Sequence, residues 1–189
     1  MSVGDINLSS SRETGEEIDA MHIFSTNAQV NEHNLLLIKS KCRDNITIEA
    51  NDYSKDERTG KMKRLDKYLT RNVDSCLPNV IVIGINARVM LIKNLYVTDG
   101  LTNGSFGMVT YITMSNDNKA KTIYVRFDNE RVGAILRKKS SKLIHGIPEG
   151  RTPIEMEEER VNYRGDIGRQ FPLKLSYACT IHKVQIINR

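Results

Sequence analysis

The length of 189 residues, with 39% hydrophobic and 27% charged residues, predicts one soluble globular domain, or one domain carrying a small insertion. The 28 basic and 23 acidic side chains give a formal net charge of +5, which suits a polyanionic partner but is too small to indicate one alone. Three scattered Cys and four His without paired ligand spacing exclude a disulfide framework and predict no structural metal, and no apolar run is long enough to span a membrane.

The first predicted elements form a strand, turn and helix unit. Residues 1–19 are polar and Ser-rich, so we expect a flexible leader. The apolar residues 21–24 predict a short buried strand. Thr26 and Gln29 have capping-box spacing, which predicts a helix that runs to about Lys39.

The next part of the chain is dominated by charge. Residues 46–49 predict a second strand, whereas the charged residues 51–63 are expected to form an exposed loop. Met62, Leu65 and Leu69 recur at helical spacing and predict a short amphipathic helix before the turn at residues 74–78.

From residue 79 to residue 127 the pattern changes to β. Residues 80–83 and 88–92 predict strands, and two alternating apolar runs separated by the polar residues 115–119 predict a hairpin. Several short strands with little helix indicate a small barrel. The basic residues 131–150 and the acidic residues 153–160 are expected at the surface. We then expect a strand over residues 171–175 and a helix from about Tyr177.

The sequence lacks the motif that nucleotide hydrolysis most often uses. No GxxxxGK[ST] phosphate loop occurs, and Gly60-Lys61 is followed by Met62, which has no hydroxyl to hold magnesium. No GxSxG or HExxH motif occurs either. Independent ATP hydrolysis is therefore not expected.

The most specific segment, residues 170–185, reads QFPLKLSYACTIHKVQ. On the predicted helix, Thr180 and Lys183 share one face, while His182 and Gln185 share a neighbouring face. A hydroxyl and an ammonium near a helix N-terminus suit phosphate contacts. The alternative is an ordinary amphipathic terminal helix.

This segment resembles the fifth helicase motif of the petite integration frequency (PIF-type) DNA helicases and their Helitron relatives, which reads approximately QxPLxLAYAxTIHKxQG. The chain departs from that pattern at Ser176, and at Ile186 where the motif has glycine. The resemblance implies that Thr180, His182 and Lys183 approach a single-stranded DNA backbone. It also implies that Gln185 lies toward the nucleotide, as the candidate catalytic and cofactor-binding residue.

Two more segments resemble the same family in the same order. The sequence GINARVMLIKNL, followed by DGLTNG and GMV, is similar to a small β-barrel insertion that helps to enclose single-stranded DNA. Its candidate DNA contacts are Arg88, Lys93 and Asn94, although such residues are as often solvated edge groups. The sequence FSTNAQVNEHN is similar to the opening of the second RecA-like domain, where Asn27 and Asn34 either shape a ligand cleft or, as we favour, cap and pack.

Together these observations predict an α/β fold: a partial second RecA-like helicase domain with a small inserted β-barrel. Residues 20–77 are expected to form the first portion of that domain with its charged loop, and residues 78–130 the barrel. Residues 131–168 are expected to be a basic and then acidic connection. Residues 169–189 are expected to return to the RecA-like domain with the fifth motif.

The resemblance implies that the chain is part of an ATP-dependent DNA helicase with 5′ to 3′ direction, and that it supplies single-stranded DNA contacts and coupling to ATP. The complete family enzyme uses ATP and Mg, and neither is expected to bind tightly to this chain alone. The expected partners are single-stranded DNA and the missing first RecA-like domain, without a membrane, in the nucleus or alternatively the mitochondrion. A non-catalytic binding module derived from a helicase, or a degenerate pseudogene product, remains an alternative.

Overall fold

A computed structural model of the chain describes residues 21–42, 44–71, 75–141 and 150–180. Two α-helices and a series of short strands follow one another in these ranges. The helices are α1 (Asn27–Lys41) and α2 (Ala134–Ser141). The strands are β1 (His22–Phe24), β2 (Ile46–Glu49), β3 (Asn51–Lys55), β4 (Met62–Arg64), β5 (Val80–Ile83), β6 (Arg88–Leu91), β7 (Phe106–Met114), β8 (Ala120–Phe127), β9 (Thr152–Ile154), β10 (Glu157–Arg160), β11 (Ile167–Gln170), β12 (Leu173–Leu175) and β13 (Ala178–Thr180).

The first strand and helix form where the sequence predicts them. Thr26 caps α1: its hydroxyl accepts a hydrogen bond from the Gln29 backbone N–H at 3.3 Å and donates one to the Gln29 side-chain oxygen at 3.0 Å. The helix buries Val30, Asn34 and Ile38, which are four residues apart and therefore share one face. β1 is less buried than predicted, because Ile23 keeps 53% of its surface exposed.

The charged region after β2 is structured, so the predictions of a loop over residues 51–63 and a helix over residues 62–69 are wrong. β3 and β4 pair as an antiparallel hairpin within a four-stranded sheet of order β10-β11-β3-β4. The Asp56 carboxylate accepts hydrogen bonds from the backbone N–H groups of Arg58 and Thr59, which closes the turn between the strands.

The predicted hairpin near the middle of the chain is confirmed and belongs to a five-stranded sheet of order β12-β6-β7-β8-β9. All its neighbouring strands are antiparallel. No sheet in the described ranges closes on itself, so the predicted barrel is not found there. Two strands of this sheet, β9 and β12, lie outside the predicted insertion at residues 78–130. They belong to the sheet because their apolar side chains, including Ile154 and Leu173, complete the core.

The region predicted to be surface after residue 131 also contains ordered structure. Asp99, which is 7% exposed, accepts hydrogen bonds from the backbone N–H groups of Ile135 and Leu136 and so caps the N-terminus of α2. Thr152 and Ile154 of β9 are fully buried, although Glu155 beside them is exposed as predicted. Within the described part of the chain, neither helix has the length and apolarity needed to cross a bilayer.

The end of the described chain differs most from prediction. The strand expected over residues 171–175 is confirmed as β12, but Ala178–Thr180 is strand β13 rather than the start of a helix. β13 pairs in parallel with β1, so the first and last described strands are neighbours. All three residues of β13 are buried, and Tyr177 before them belongs to the apolar core that also contains Ile38, Leu91 and Phe171.

Candidate nucleic-acid interface

The parallel pair of β1 and β13 forms an edge beside the N-terminus of α1. His22, Ile23 and Phe24 lie opposite Ala178, Cys179 and Thr180, so both strands end at the same edge. β1 leads directly into the capped N-terminus of α1, whose first turn carries no acidic side chain. In open α/β sheets, ligands bind at the carboxyl ends of the strands, and helix N-termini attract anions.

Asn34 of α1 forms hydrogen bonds to the backbone on both sides of the connection between β12 and β13. Its side chain is 5% exposed, donates a hydrogen bond to the Leu175 carbonyl at 3.3 Å, and accepts one from the Ala178 N–H at 2.9 Å. The amide therefore spans the connection between β12 and β13 and fixes it against α1. The packing role predicted for Asn34 is confirmed, whereas Asn27 lies exposed at the first position of the helix.

The segments that resemble the helicase motifs meet in space. β12 pairs with β6, with Leu175 opposite Val89, and the Ser176 N–H donates a hydrogen bond to the Arg88 carbonyl at 2.9 Å. The Ile92 N–H likewise donates to the Pro172 carbonyl at 3.0 Å. Backbone pairing thus joins the segment around residues 170–180 to the one around residues 84–95.

Arg88, Lys93 and Asn94 each already have a partner within the chain. Arg88 forms a bidentate ion pair with Asp128. Lys93 lies 3.2 Å from a Glu157 carboxylate oxygen and donates a hydrogen bond to the Glu158 carbonyl. The side-chain oxygen of Asn94 accepts a hydrogen bond from the backbone N–H of Asn103 at 2.7 Å. DNA contacts by these three residues therefore stay predictions. A DNA phosphate would have to compete with a carboxylate for the Arg88 and Lys93 side chains.

The Arg88 and Lys93 carboxylate partners were not identified from the sequence. Arg88 and Asp128 are 40 positions apart, and Lys93 and Glu157 are 64 positions apart. No local spacing rule reaches that far, since helical and cross-strand patterns link residues only a few positions apart or through a known register.

The predicted motif residues are only partly within the described ranges. Thr180 is 8% exposed and lies in a strand, so it does not share an exposed helix face with Lys183 as predicted. His182, Lys183 and Gln185 lie outside the described residues. Of the residues predicted from this motif, the structure therefore locates Thr180 at the end of β13, next to Phe24.

The pKa of one histidine near the edge, His33, is shifted toward the neutral form. Burial lowers the pKa of His33 below its usual value of 6.5, and the neighbouring His22, whose ring centroid is 4.4 Å away, lowers it further. Elsewhere, burial and then the Glu159 carboxylate raise the pKa of the Cys76 thiol to about 11. Such a thiol is a poor nucleophile at neutral pH.

The described residues do not fit a nucleotide and its metal on their own. They contain no group of three or more His, Cys, Asp or Glu side chains arranged as metal ligands. The sequence has no glycine-rich phosphate loop. No hydrolytic step is therefore assigned to this chain.

The described fold is similar to part of the Pif1 helicases. The Candida albicans Pif1 helicase matches 94% of this chain with a TM-score of 0.61 and 19% identity, and the match covers 38% of that protein. A Bacteroides Pif1 bound to ssDNA matches 93% of this chain, with a TM-score of 0.56 and 20% identity over 34% of its own length. A Bacteroides Pif1 in complex with ADP-AlF4 gives a TM-score of 0.53 at 20% identity, over 89% of this chain and 32% of that one.

These comparisons show that the described fold is similar to part of the PIF-type helicases that the motifs resemble, and the predicted mixed α/β class is confirmed. No protein-family model matches the chain, and no curated protein matches it. The chain spans about a third of the length of the solved helicases it matches.

Proposed function

We propose that this chain is the part of an ATP-dependent DNA helicase that contacts single-stranded DNA and couples those contacts to ATP. The observation that carries the proposal is that three separate segments, each resembling part of the helicase family, are joined in the fold. The segment with β1 and α1 contacts β13, and the segment around residues 84–95 pairs with β12. The similarity of the fold to Pif1 helicases supports the same assignment.

The arrangement suggests how the coupling works. β13 ends at Thr180 beside the α1 N-terminus, and residues 181–185 continue the motif from that point. Asn34 holds the start of β13 by its backbone, so movement of α1 is transmitted to the motif. We propose that ATP, held chiefly by a first RecA-like domain, moves this unit relative to the bound strand. A finer RecA-like assignment for β1, α1 and β13, and a nuclear location, are parts of the same proposal.

The test is fluorescence anisotropy of a labelled oligo-dT with the purified 189-residue chain, over a salt series, with and without ATP. We expect salt-sensitive binding that ATP leaves unchanged. Lys183→Gln removes one predicted phosphate contact, so the slope of log K against log salt should decrease in magnitude by about 0.7.

Lys39→Gln is the matched control, because Lys39 is an exposed residue near the far end of α1. It should leave the slope close to that of the unmodified chain. Absence of oligonucleotide binding, or equal effects of the two substitutions, would contradict the proposed contact, and ATP hydrolysis by the isolated chain would contradict its dependence on another domain.

A further inference from the structure

A cleft of about 810 Å³ is lined by residues other than those of β1, β13 and α1. One wall consists of residues 46–51 of β2 and β3, together with residues 64–68 after the β3–β4 hairpin. The tip of the β7–β8 hairpin, residues 155–156 and Arg169 also line the cleft. A concavity of this size falls in the range that binds ligands or short polymer segments.

Basic side chains outnumber acidic ones in this cleft, which we call the hairpin cleft. Five basic residues line it (Arg64, Lys67, Lys119, Lys121 and Arg169), and three acidic residues do so (Glu49, Asp66 and Glu155). Positive charge concentrated in a concave surface attracts polyanions more strongly than the same charge spread over a convex one.

Three of these cations have no partner among the described residues. Lys67, Lys121 and Arg169 form no side-chain hydrogen bond or ion pair there, whereas Arg88 and Lys93 of the sequence-predicted site are held by carboxylates. A phosphate entering the cleft displaces only water and counterions from these three groups. Counterion release then favours binding without the loss of an internal ion pair.

An aromatic ring distinguishes the hairpin cleft from a generic polyanion site. Tyr68 lines the cleft and keeps 42% of its surface exposed, and Met114 of the β7–β8 hairpin keeps 43% exposed. Exposed aromatic rings beside cations are the surface on which unpaired bases stack. A paired duplex offers no free base faces, and an acidic peptide gains little from a tyrosine, so these residues favour a single strand.

We propose that the hairpin cleft is a second binding site for single-stranded nucleic acid, in which Lys67, Lys121 and Arg169 contact phosphates and Tyr68 stacks on a base. The site consists of residues outside the segments that resemble the helicase motifs, and none of them belongs to the segment around Thr180. It shares with that segment only the class of partner. It depends on the proposed function only in that nucleic acid is the ligand.

Two triple variants of equal charge test the phosphate contacts. The cleft triple is Lys67→Gln, Lys121→Gln and Arg169→Gln, and the control triple is Lys39→Gln, Lys139→Gln and Arg131→Gln, three exposed cations that do not line the cleft. Anisotropy with labelled oligo-dT should show a salt slope smaller by about 2 for the cleft triple, since each lost contact removes about 0.7. The control triple should retain the slope of the unmodified chain.

A second measurement tests the stacking. Tyr68→Leu should weaken oligo-dT binding by about 5-fold or more, and Tyr68→Phe should not, because the ring is retained. On an abasic strand of the same length, which keeps its phosphates, Tyr68→Leu should have no effect. Far-UV circular dichroism of every variant verifies that the fold is retained.

The outcomes separate this inference from the proposed function. Binding by the unmodified chain with equal slopes for the two triples would overturn the hairpin cleft as a site and leave the proposed function intact. Equal competition by a poly-glutamate peptide, with no effect of Tyr68→Leu, would likewise overturn it in favour of an acidic protein partner. If the unmodified chain does not bind oligo-dT at all, both proposals fail.

Discussion

Asp52 and Arg71 provide the sharpest test of what holds the β3–β4 region in place. The Asp52 side chain is fully buried and accepts hydrogen bonds from both terminal nitrogens of Arg71, at 2.5 and 2.9 Å, and from the Leu69 N–H at 2.5 Å. Arg71 is itself only 10% exposed and also donates to the Leu77 carbonyl. One carboxylate therefore fixes Leu69 and Arg71 against β3, and Arg71 in turn holds Leu77.

Replacing Asp52 with Asn keeps the shape but removes the charge. Arg71 is then left as a buried cation without its counter-ion, a change that costs about 3–5 kcal/mol of the free energy of unfolding. That is a large part of the about 5–15 kcal/mol typical of a folded domain. With a urea dependence of about 2 kcal/mol per molar, the unfolding midpoint should fall by about 2 M.

Urea denaturation followed by far-UV circular dichroism is the suitable assay, because the chain contains no Trp for fluorescence. The Asp52→Ala and Arg71→Ala double variant removes both charges, so its cost should be about 2–3 kcal/mol less than the sum of the two single costs. A loss below about 1 kcal/mol for Asp52→Asn, or strictly additive single effects, would refute the view that this pair organises the segment.

Two further predictions concern buried polar groups and use the same denaturation assay. The Ser176 hydroxyl is buried without a partner among the described residues, so Ser176→Ala should raise the free energy of unfolding by about 1 kcal/mol. The control Ser105→Ala removes a hydrogen bond to the Gly100 carbonyl and should lower the free energy of unfolding. A loss of stability in Ser176→Ala would contradict this. Folding lowers the pKa of His33, so the His33 side chain binds a proton less readily in the folded state than in the unfolded state. The free energy of unfolding should therefore decrease as the pH falls through about 6.5, the pKa of His33 in the unfolded state. His33→Phe, which preserves the ring contact with Phe24, should flatten that pH dependence, and an unchanged profile would argue against His33 as its source.

Local patterns predicted those elements whose stabilising contacts are also local. The cap at Thr26 needs only Gln29 three residues later, and the β7–β8 hairpin needs only two alternating runs and a polar turn. The mixed α/β class and the similarity in fold to PIF-type helicases were predicted from such segments together with the motif resemblances.

The failures share one physical cause, which is long-range pairing. Residues 51–63 are highly charged, and nothing nearby shows that Asp52 will be neutralised by Arg71, 19 positions later. Likewise, a helix was predicted from about Tyr177, but residues 178–180 form a strand because they pair with β1, near the other end of the described chain. The hairpin cleft was missed because its cations come from three separate stretches of sequence, around residues 64–67, residues 119–121 and Arg169.

The parallel pairing of β1 with β13 also has a consequence for biosynthesis. His22 lies opposite Ala178, so the first strand cannot find its neighbour until 156 further residues have been translated. At about 5–20 residues per second, the ribosome needs roughly 8–30 s to supply them. During that interval Ile23 and the α1 face that receives β13 are exposed to other nascent chains, which makes this corner of the fold the natural point of chaperone protection.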